Sequence, residues 1–407
     1  MNPTLGKASS RSPKLVYVIS TAKCLFFFRD SIADLCSSGF DVSVISSPGP
    51  GKEAIHADGA SVFDVSINRE ISPLQDIVSL WRLWNLLRRI RPDITNVATP
   101  KGGLLGGLAA AFAGVPHRIY TLHGLRLETT HGLKRHILWC AEWLACKCAH
   151  QVYCVSNSLL ELALDLRLVA PSKASVVANG TAIGIDCERF APTSERREAA
   201  HELRARLGID SKAPVVGFVG RLTRDKGIPE LYQALLLLRT EFSDLHLLLV
   251  GDFETGDPVP QEIRTRIDHD PSVIQTGWVT DATPYYHIMN VFAFPTHREG
   301  FGLVSAEAQA SGVPVVATIV TGARDSIVDG ITGFATPVGD ARALAGGIAK
   351  LLRDAELRRR MGDAGRDWVA RTFDRRVVLA ELKKLYIEAV PLQGTQNGRT
   401  WKSQRPI

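Results

Sequence analysis

Two glutamates flank a glycine-rich turn in residues 299–307, which read EGFGLVSAE. Seven residues separate Glu299 from Glu307. The preceding residues 291–295, VFAFP, are apolar and predict a buried parallel strand, so the turn lies where a strand ends and a helix begins. In open α/β sheets, nucleotide ligands bind at that place.

The chemistry that this turn favours is the binding of a diphosphate. The backbone N–H groups of Gly302, Leu303 and Val304 would point at an anion, and the glycines let phosphate approach without a Cβ clash. Glu299 would face the group beyond the phosphates. Glu307, about two helical turns further on, could accept hydrogen bonds from two ribose hydroxyls. Glutamates near a helix start also have a purely structural use, because they stabilise the helix N-terminus.

A second loop contributes positive charge. Residues 220–227, GRLTRDKG, follow another apolar run and precede a helix that begins near Pro229. Arg221 can grip a phosphate with its fork of donors, and Lys226 adds a point charge, so that together they would neutralise a leaving diphosphate. A solvated turn is the alternative for two basic residues in a loop.

Apolar strand-like runs alternate with helix-length segments along the whole chain, which predicts α/β structure with parallel, doubly wound sheets. At 407 residues the chain exceeds the usual size of one core, so two domains are expected. The predicted strands are 15–20, 40–46, 92–98, 118–122, 152–155, 174–177, 214–220, 246–251, 273–274, 291–295 and 314–317. The predicted parts are a disordered lead over 1–13, domains over 14–190 and 191–375, a C-terminal helix over 376–390 that can return to the first domain, and a disordered tail over 391–407.

Taken together, these motifs resemble glycosyltransferase family 4, the retaining nucleotide-sugar glycosyltransferases, whose signature is an acid, seven residues and a second acid. The resemblance spans roughly residues 14–390. It implies the GT-B fold, in which two Rossmann-like domains face each other across a cleft, and it implies catalysis without a divalent metal or an enzyme nucleophile. It assigns catalysis to His123 and Glu299. It assigns donor binding to Arg221, Lys226, Gly300, Phe301, Gly302, Leu303, Val304 and Glu307.

The first domain is expected to bind the acceptor. His123 follows a predicted strand, where a histidine before glycine is often structural, but the resemblance places it against the donor sugar. Lys101, Gly102 and Gly103 resemble the loop of members that extend lipid-linked sugars. Many members carry two glycines after the first strand, whereas residues 20–29 here read STAKCLFFFR. That loop is therefore expected to shape the acceptor site with its phenylalanines and Arg29.

The resemblance is to the subgroup that builds capsular, exopolysaccharide or O-antigen repeat units. It implies a nucleotide-sugar donor, with UDP as the expected nucleotide, and a glycan or polyprenyl-diphosphate-sugar acceptor. A nucleotide-sugar epimerase, a phosphorylase or a non-catalytic nucleotide-sugar-binding protein on the same fold are the alternatives.

Charge and composition bear on where the protein works. Residues 1–190 carry 20 basic and 15 acidic side chains, and this excess suits an anionic acceptor or surface. Arg82, Arg88, Arg89 and Arg91 lie near Trp81 and Trp84, which suits a leaflet interface, although a core-facing amphipathic helix with a solvated basic side fits equally well. The longest apolar stretch, 102–115, is too short to span a bilayer. A cytoplasmic, peripheral membrane protein without a nucleic-acid partner is expected.

Two groups of residues could suggest a metal. Cys140, Cys146 and Cys148 lie near two histidines, but the last two cysteines would point to different sides of a helix. Asp268-His269-Asp270 resembles a carboxylate pair for a divalent ion, yet it precedes Pro271 in a polar link and is interpreted as a solvated loop. No metal site is predicted, and the seven cysteines, an odd number, are expected to be unpaired thiols.

Overall fold

The computed structural model describes residues 11–68 and 72–390. The predicted disordered tail over 391–407 and residues 1–10 of the predicted lead lie outside the described residues. The strands are β1 (Lys14–Ile19), β2 (Asp41–Ser46), β3 (Ser61–Asp64), β4 (Ile94–Ala98), β5 (His117–Leu122), β6 (Gln151–Cys154), β7 (Ala174–Val176), β8 (Val215–Val219), β9 (His246–Val250), β10 (Val273–Gln275), β11 (Val291–Phe294), β12 (Val315–Thr318) and β13 (Gly333–Thr336).

Helices connect most of these strands. They are α1 (Leu25–Ser37), α2 (Lys52–Ala57), α3 (Pro73–Ile90), α4 (Pro100–Phe112), α5 (Gly132–Cys148), α6 (Asn157–Asp165), α7 (Cys187–Phe190), α8 (Ser194–Arg206), α9 (Ile228–Leu238), α10 (Gln261–His269), α11 (Thr283–Tyr286), α12 (Leu303–Ala310), α13 (Ala341–Arg353), α14 (Ala355–Thr372) and α15 (Arg375–Ala389). Short 3₁₀ turns include Ala22–Cys24 and Arg224–Lys226.

The strands form two parallel sheets, in the orders β3-β2-β1-β4-β5-β6-β7 and β10-β9-β8-β11-β12-β13. In each sheet the direction of winding reverses once, between β1 and β4 and between β8 and β11. This is the doubly wound dinucleotide-binding topology, and it confirms the predicted α/β class. The edge strands β3 and β13 were not predicted.

Burial of both sheet faces explains why the strands are apolar throughout. From Leu15 to Ile19 every residue of β1 is buried, and the same holds for β8 and β11. Such strands read as continuous apolar runs because helices cover both faces of a parallel sheet.

The chain divides into two compact units. The first contains the described residues up to Ile183 together with those from Arg376, and the second contains Gly184–Arg375. The units therefore divide at Gly184, whereas the sequence placed the boundary at 190. Helix α7, which falls between these points, packs in the second unit, where the Phe190 and Tyr286 ring centroids lie 5.8 Å apart.

Helix α15 completes the core of the first unit. The Tyr386 hydroxyl lies 2.8 Å from the Tyr17 hydroxyl, and Asn96 Nδ2 donates to Tyr386 at 2.5 Å. The hydroxyl of Thr121 donates to Asn96 Oδ1 at 2.8 Å. This buried chain of hydrogen bonds links the last described helix to β1, β4 and β5.

Helices α3, α4 and α5 lie side by side on one face of the first sheet, since α4 contacts both of the others. The connections from β3 to β4, from β4 to β5 and from β5 to β6 all run in the same direction across the sheet, and right-handed crossovers in one direction place their helices on one face. Across the part of the chain described, no helix combines the length and the apolar character needed to span a bilayer.

Candidate active site

The two predicted donor loops begin at the switch point of the second sheet. Strands β8 and β11 pair directly, with Val291 beside Val216, so the loops after Val219 and after Phe294 leave the same edge. Gly227 adopts φ +73°, and a Cβ there would lie 2.0 Å from the Pro295 carbonyl oxygen. Only glycine allows the two loops to approach this closely.

Lys226 and Glu299, predicted on separate loops, form an ion pair through Lys226 Nζ and Glu299 Oε1. Their side chains are 13% and 18% exposed, so both charges are largely removed from water. A cation and a carboxylate therefore share one small volume at the carboxyl edge of the sheet. The sequence indicated both residues but gave no sign that they contact each other.

A second set of polar contacts ties the two loops together, and the sequence did not single out its members. Arg298 Nη2 donates to Asp225 Oδ2 at 2.8 Å, and the Thr223 hydroxyl donates to Asp225 at 2.6 Å. Burial acts to raise the pKa of Asp225, but the Thr223 hydrogen bond and the nearby cations hold it below its ordinary value. Asp225 and Arg298 adjoin Lys226 and Glu299 in sequence, which was the available signal.

The neighbouring His297 reinforces this contact. Its Nε2 lies 3.0 Å from Glu230 Oε1, and its backbone N–H donates to the Asp225 carbonyl at 2.8 Å. The Glu230 carboxylate raises the pKa of His297 above its usual value. The loop that carries Glu299 is thus held by two neighbouring residues, His297 through Glu230 and Arg298 through Asp225.

The glycine turn leads into α12 as predicted. Gly302 has φ +85°, and a Cβ there would lie 2.9 Å from Phe294 Cε1. Ser305 N–H donates back to the Gly302 carbonyl at 3.0 Å. In the hydrogen bonds of the described residues, the N–H groups of Gly302, Leu303 and Val304 have no protein acceptor. They form the set of free donors that a helix N-terminus presents to an anion.

Gly300 and Phe301 differ from the other residues of the turn. The Phe301 ring is buried against Phe373, with centroids 4.7 Å apart. The Phe301 side chain therefore anchors the turn in the core and is not available to contact a nucleotide sugar. Gly300 packs against Gly322, and a Cβ on Gly322 would lie 2.5 Å from the Gly300 carbonyl oxygen. Its position depends on this close packing.

Glu307 and Arg221 both have protein partners. The Tyr286 hydroxyl donates to Glu307 Oε2 at 2.7 Å, and burial raises the pKa of Glu307 above its ordinary value. Arg221 Nη1 donates to Glu254 Oε2 at 2.9 Å, and Arg221 remains partly exposed. Tyr286 and Glu254, both distant in sequence, hold these side chains in place.

In the first unit, His123 follows β5 at the carboxyl edge of the sheet. Its Nε2 atom is buried without a hydrogen-bond partner among the described residues, and its ring meets Phe28 edge-on, with centroids 5.7 Å apart. Burial lowers the pKa of His123 to about 4. The imidazole is therefore neutral near pH 7 and can donate or accept a hydrogen bond.

The predicted acceptor residues Lys101, Gly102 and Gly103 have structural contacts. Lys101 Nζ pairs with Asp76 Oδ1 at 2.7 Å, and the Gly103 N–H donates to the Thr99 carbonyl at 2.7 Å. A Cβ on Gly103 would lie 2.5 Å from the Tyr120 ring. Gly103 thus lets α4 pack closely on β5 and has its amide bonded within the chain, whereas a Cβ on Gly102 would meet the Thr99 hydroxyl and the backbone at the end of β1. The acceptor role of Lys101 and Gly102 stays a prediction.

Residues 20–29 are not a loop, which corrects a second expectation. They form a 3₁₀ turn and the first turns of α1, with Phe28 in the core and Phe26 and Phe27 exposed. Arg29 makes two hydrogen bonds to Asp58, at 2.7 and 3.2 Å, and its charge is already paired.

The prediction that residues 268–270 form a solvated loop is also wrong. Asp268 and His269 end α10, and the buried Asp270 carboxylate accepts from Ser272 at 2.7 Å and pairs with Arg239 at 3.3 Å. Among the described residues there is no group of three or more His, Cys, Asp or Glu side chains arranged to hold a metal ion.

Two family models match the chain and together cover most of it. Glycosyltransferase Family 4 matches residues 29–185, and Glycosyl transferases group 1 matches residues 200–368. The second match contains both donor loops at the switch point.

Known proteins similar to the chain include two bacterial glycosyltransferases. The capsular polysaccharide biosynthesis glycosyltransferase CapM of Staphylococcus aureus is 36% identical over 376 residues, which is 92% of this chain and 97% of that protein. The UDP-Gal:alpha-D-GlcNAc-diphosphoundecaprenol alpha-1,3-galactosyltransferase of Escherichia coli is 27% identical over 86% of this chain and 90% of its own length.

Among solved structures, Anabaena HepE in complex with UDP-glucose superposes with a TM-score of 0.77 at 19% identity. The superposition covers 92% of this chain and 99% of HepE. At that identity the likeness establishes the two-domain architecture of the glycosyltransferase.

Proposed function

Because the chain belongs to glycosyltransferase family 4 and has the GT-B fold, we propose that it transfers a sugar from a UDP-sugar to a hydroxyl of a lipid-linked glycan, with retention of anomeric configuration. The product would be a repeat unit of a surface polysaccharide. The observation that carries this proposal is the ion pair of Lys226 with Glu299 beside the free amides of α12.

The proposed donor site divides into three parts. Arg221, Lys226 and the amides of residues 302–304 bind the diphosphate, because cations and a helix N-terminus favour an anion. Glu307, fixed by Tyr286, accepts from the ribose hydroxyls. Glu299, paired with Lys226, faces the group beyond the phosphates and positions hydroxyls of the transferred sugar.

This arrangement suits the chemistry of transfer. Breaking the glycosidic C–O bond leaves positive charge on the sugar ring and negative charge on the departing phosphate. Cations and N–H groups that are fixed before the reaction stabilise the negative charge on the phosphate without reorganisation. In many enzymes such electrostatic stabilisation is the largest contribution to the rate enhancement. His123, neutral near pH 7, is the residue of the first unit that we propose to contact the sugar. We propose no divalent metal, because Arg221, Lys226 and the amides supply the positive charge.

UDP and a lipid-linked acceptor are supported by the relatives. The E. coli relative is named for UDP-Gal and a diphosphoundecaprenol-linked GlcNAc acceptor, and HepE binds UDP-glucose in its crystal. The basic surface of the first unit supports work at an anionic membrane, where such an acceptor resides.

The test is a transfer assay with a panel of UDP-, GDP- and dTDP-sugars and a short-chain polyprenyl-diphosphate-sugar acceptor. Release of UDP that requires the acceptor, survives EDTA and yields a product with the donor's anomeric configuration is the expected result. Donor consumption without acceptor would favour an epimerase or hydrolase. Donor binding without turnover across the panel would favour the binding protein, and activity restored only by Mn²⁺ or Mg²⁺ would contradict the metal-free proposal.

Substitutions connect the activity to the site. Arg221→Ala and Lys226→Ala should each cost on the order of 2 to 4 kcal/mol of transition-state stabilisation, the scale of one lost donor at a developing charge. Ordinary kinetics in either variant would place the diphosphate elsewhere.

A further inference from the structure

Helix α3 exposes an apolar stripe to solvent. Leu74, Ile77 and Trp81 are 81%, 65% and 61% exposed, and Val78 is exposed beside them. Their spacing puts all four on one side of the helix. Another side packs into the core through Leu83 and Leu87, so the exposed stripe is additional to the face that stabilises the fold.

Helix α5 carries a similar stripe. Leu133 is 77% exposed, and Ile137 and Trp143 are exposed one turn and about three turns further along. The Trp139 and Trp143 rings stack with centroids 6.3 Å apart. The buried residues of α5, including Ala145, lie on another face of the helix.

The two stripes lie near the same edge of the first sheet. Helices α3 and α5 flank α4 and run back from the carboxyl ends of the strands, as crossover helices do. Their N-terminal halves, which hold Leu74, Ile77, Leu133 and Ile137, are therefore at the edge that carries His123. A large exposed apolar area at such a place indicates an interaction surface.

Charge identifies the kind of partner. Within α3 and α5, all of whose residues are described, every exposed charged side chain is basic. These residues are Arg82, Arg88, Arg89, Lys134 and Lys147. The acids Asp76 and Glu142 are paired with Lys101 and buried against Tyr120, respectively. Exposed apolar and tryptophan side chains on helices whose exposed charged residues are basic match the interface of an anionic leaflet. A second copy of the chain would bring like charges together.

We propose that the stripes of α3 and α5 insert together into the headgroup region of an anionic membrane, with Arg82 and Lys134, the basic residues nearest the N-terminal halves, contacting lipid phosphates. This membrane-docking face deepens the proposed function, on which it rests: it brings the edge with His123 down to a lipid-linked acceptor. Insertion of apolar side chains adds a contribution that salt does not screen.

The first experiment is sedimentation of the full chain with vesicles of phosphatidylcholine alone or mixed with phosphatidylglycerol. The variant Leu74→Gln/Ile77→Gln/Trp81→Gln should bind the mixed vesicles at least about tenfold more weakly than wild type. The control, Leu236→Gln/Leu237→Gln, changes two exposed leucines on α9 of the second unit and should bind normally. Equal binding by wild type and the triple variant would overturn the proposal. So would complete loss of wild-type binding at about 0.5 M salt, because screened charges alone would then explain it.

The second experiment uses tryptophan fluorescence with lipids brominated on the acyl chain. Trp81→Phe should remove a substantial part of the quenching, whereas Trp278→Phe, at an exposed site of the second unit, should leave it unchanged. An equal loss of quenching in Trp81→Phe and Trp278→Phe would exclude insertion at α3. Concentration-dependent dimerisation that the triple variant abolishes would replace the membrane with a second copy.

These measurements need neither donor nor acceptor, so their failure is distinguishable from failure of the proposed transfer reaction. Where transfer is found, the triple variant should keep its turnover on a water-soluble acceptor analogue and lose it on vesicle-borne acceptor.

Discussion

Replacing Glu299 with alanine should tighten the binding of UDP while it slows sugar transfer. Glu299 holds Lys226 in a largely buried ion pair. At the donor site that we propose, a bound diphosphate would therefore share Lys226 with that carboxylate and be repelled by it. Without Glu299 the lysine charge is fully available to UDP. Transfer, however, would lose the group that we propose to position the sugar.

General electrostatics sets the scale of both effects. Two unit charges about 4 Å apart attract by about 4 kcal/mol at an effective dielectric constant of about 20. Desolvation offsets most of this, and couplings between contacting residues are about 0.5 to 3 kcal/mol. A gain of about 1 kcal/mol would lower the Kd for UDP about fivefold. A loss of about 100-fold in kcat corresponds to about 2.7 kcal/mol at the transition state.

The assay combines calorimetric titration with UDP and transfer rates at saturating donor. Lys226→Ala should raise the Kd for UDP. In a protein that already carries Lys226→Ala, adding Glu299→Ala should lower the Kd for UDP much less than it does in the wild type. Glu241→Ala is the matched control, since it breaks the exposed ion pair with Arg353 in the same unit. A Kd for UDP that rises in Glu299→Ala in step with the fall in kcat would refute the reasoning.

Three further predictions concern single residues. Glu307→Ala should raise the Kd for UDP about tenfold, since hydrogen bonds to a charged group contribute about 1.5 to 3 kcal/mol; unchanged affinity in a titration would contradict the ribose role. Gly302→Ala, at φ +85° and against Phe294, should cost at least about 1 to 2 kcal/mol of backbone strain, seen as a lower midpoint in urea unfolding, and an unchanged midpoint would show that the turn adapts. Because burial lowers the pKa of His123 to about 4, protonation favours the unfolded chain as pH falls from about 6.5 towards 4, so His123→Gln should gain about 3 kcal/mol relative to wild type between pH 7 and 4. A stability difference that is constant with pH would show that the imidazole is solvated.

The sequence predicted the two-sheet architecture because most strands of a parallel sheet are buried on both faces. The runs at Leu15–Ile19 and Val291–Phe294 are apolar throughout, and that property is visible without partners. Strands β3, SVFD, and β13, GFAT, were missed because each mixes polar residues or glycine with apolar ones and so has no continuous apolar run. The equally peripheral strands β7 and β10 were predicted from their apolar residues.

The limits at the site have a different cause. The types and spacing of Glu299, Glu307 and Lys226 predict a donor site, but the contacts of these residues join positions far apart in sequence, such as Tyr286 with Glu307. Local patterns contain no information on such contacts. Gly103 illustrates the same limit, because a glycine that accommodates the Tyr120 ring reads like one that accommodates a phosphate.

The return of α15 to the first unit has a consequence for the order of synthesis. A ribosome makes residues 184–375 without interruption, so the second unit has all of its strands before α15 is made. The first unit, whose sheet is made first, still lacks Leu382, Tyr386 and Ala389 of its core at that time. Until α15 is made, the Tyr17 and Asn96 side chains lack their hydrogen-bonding partner Tyr386, which is 369 residues from Tyr17 and 290 residues from Asn96.

The unit made first is therefore finished last. A nascent chain stopped before Arg375 would hold the complete sheet that carries Lys226 and Glu299, next to a first unit with an open core at Tyr17. Completion of the domain that carries His123 thus requires synthesis as far as Ala389, beyond the whole of the second unit.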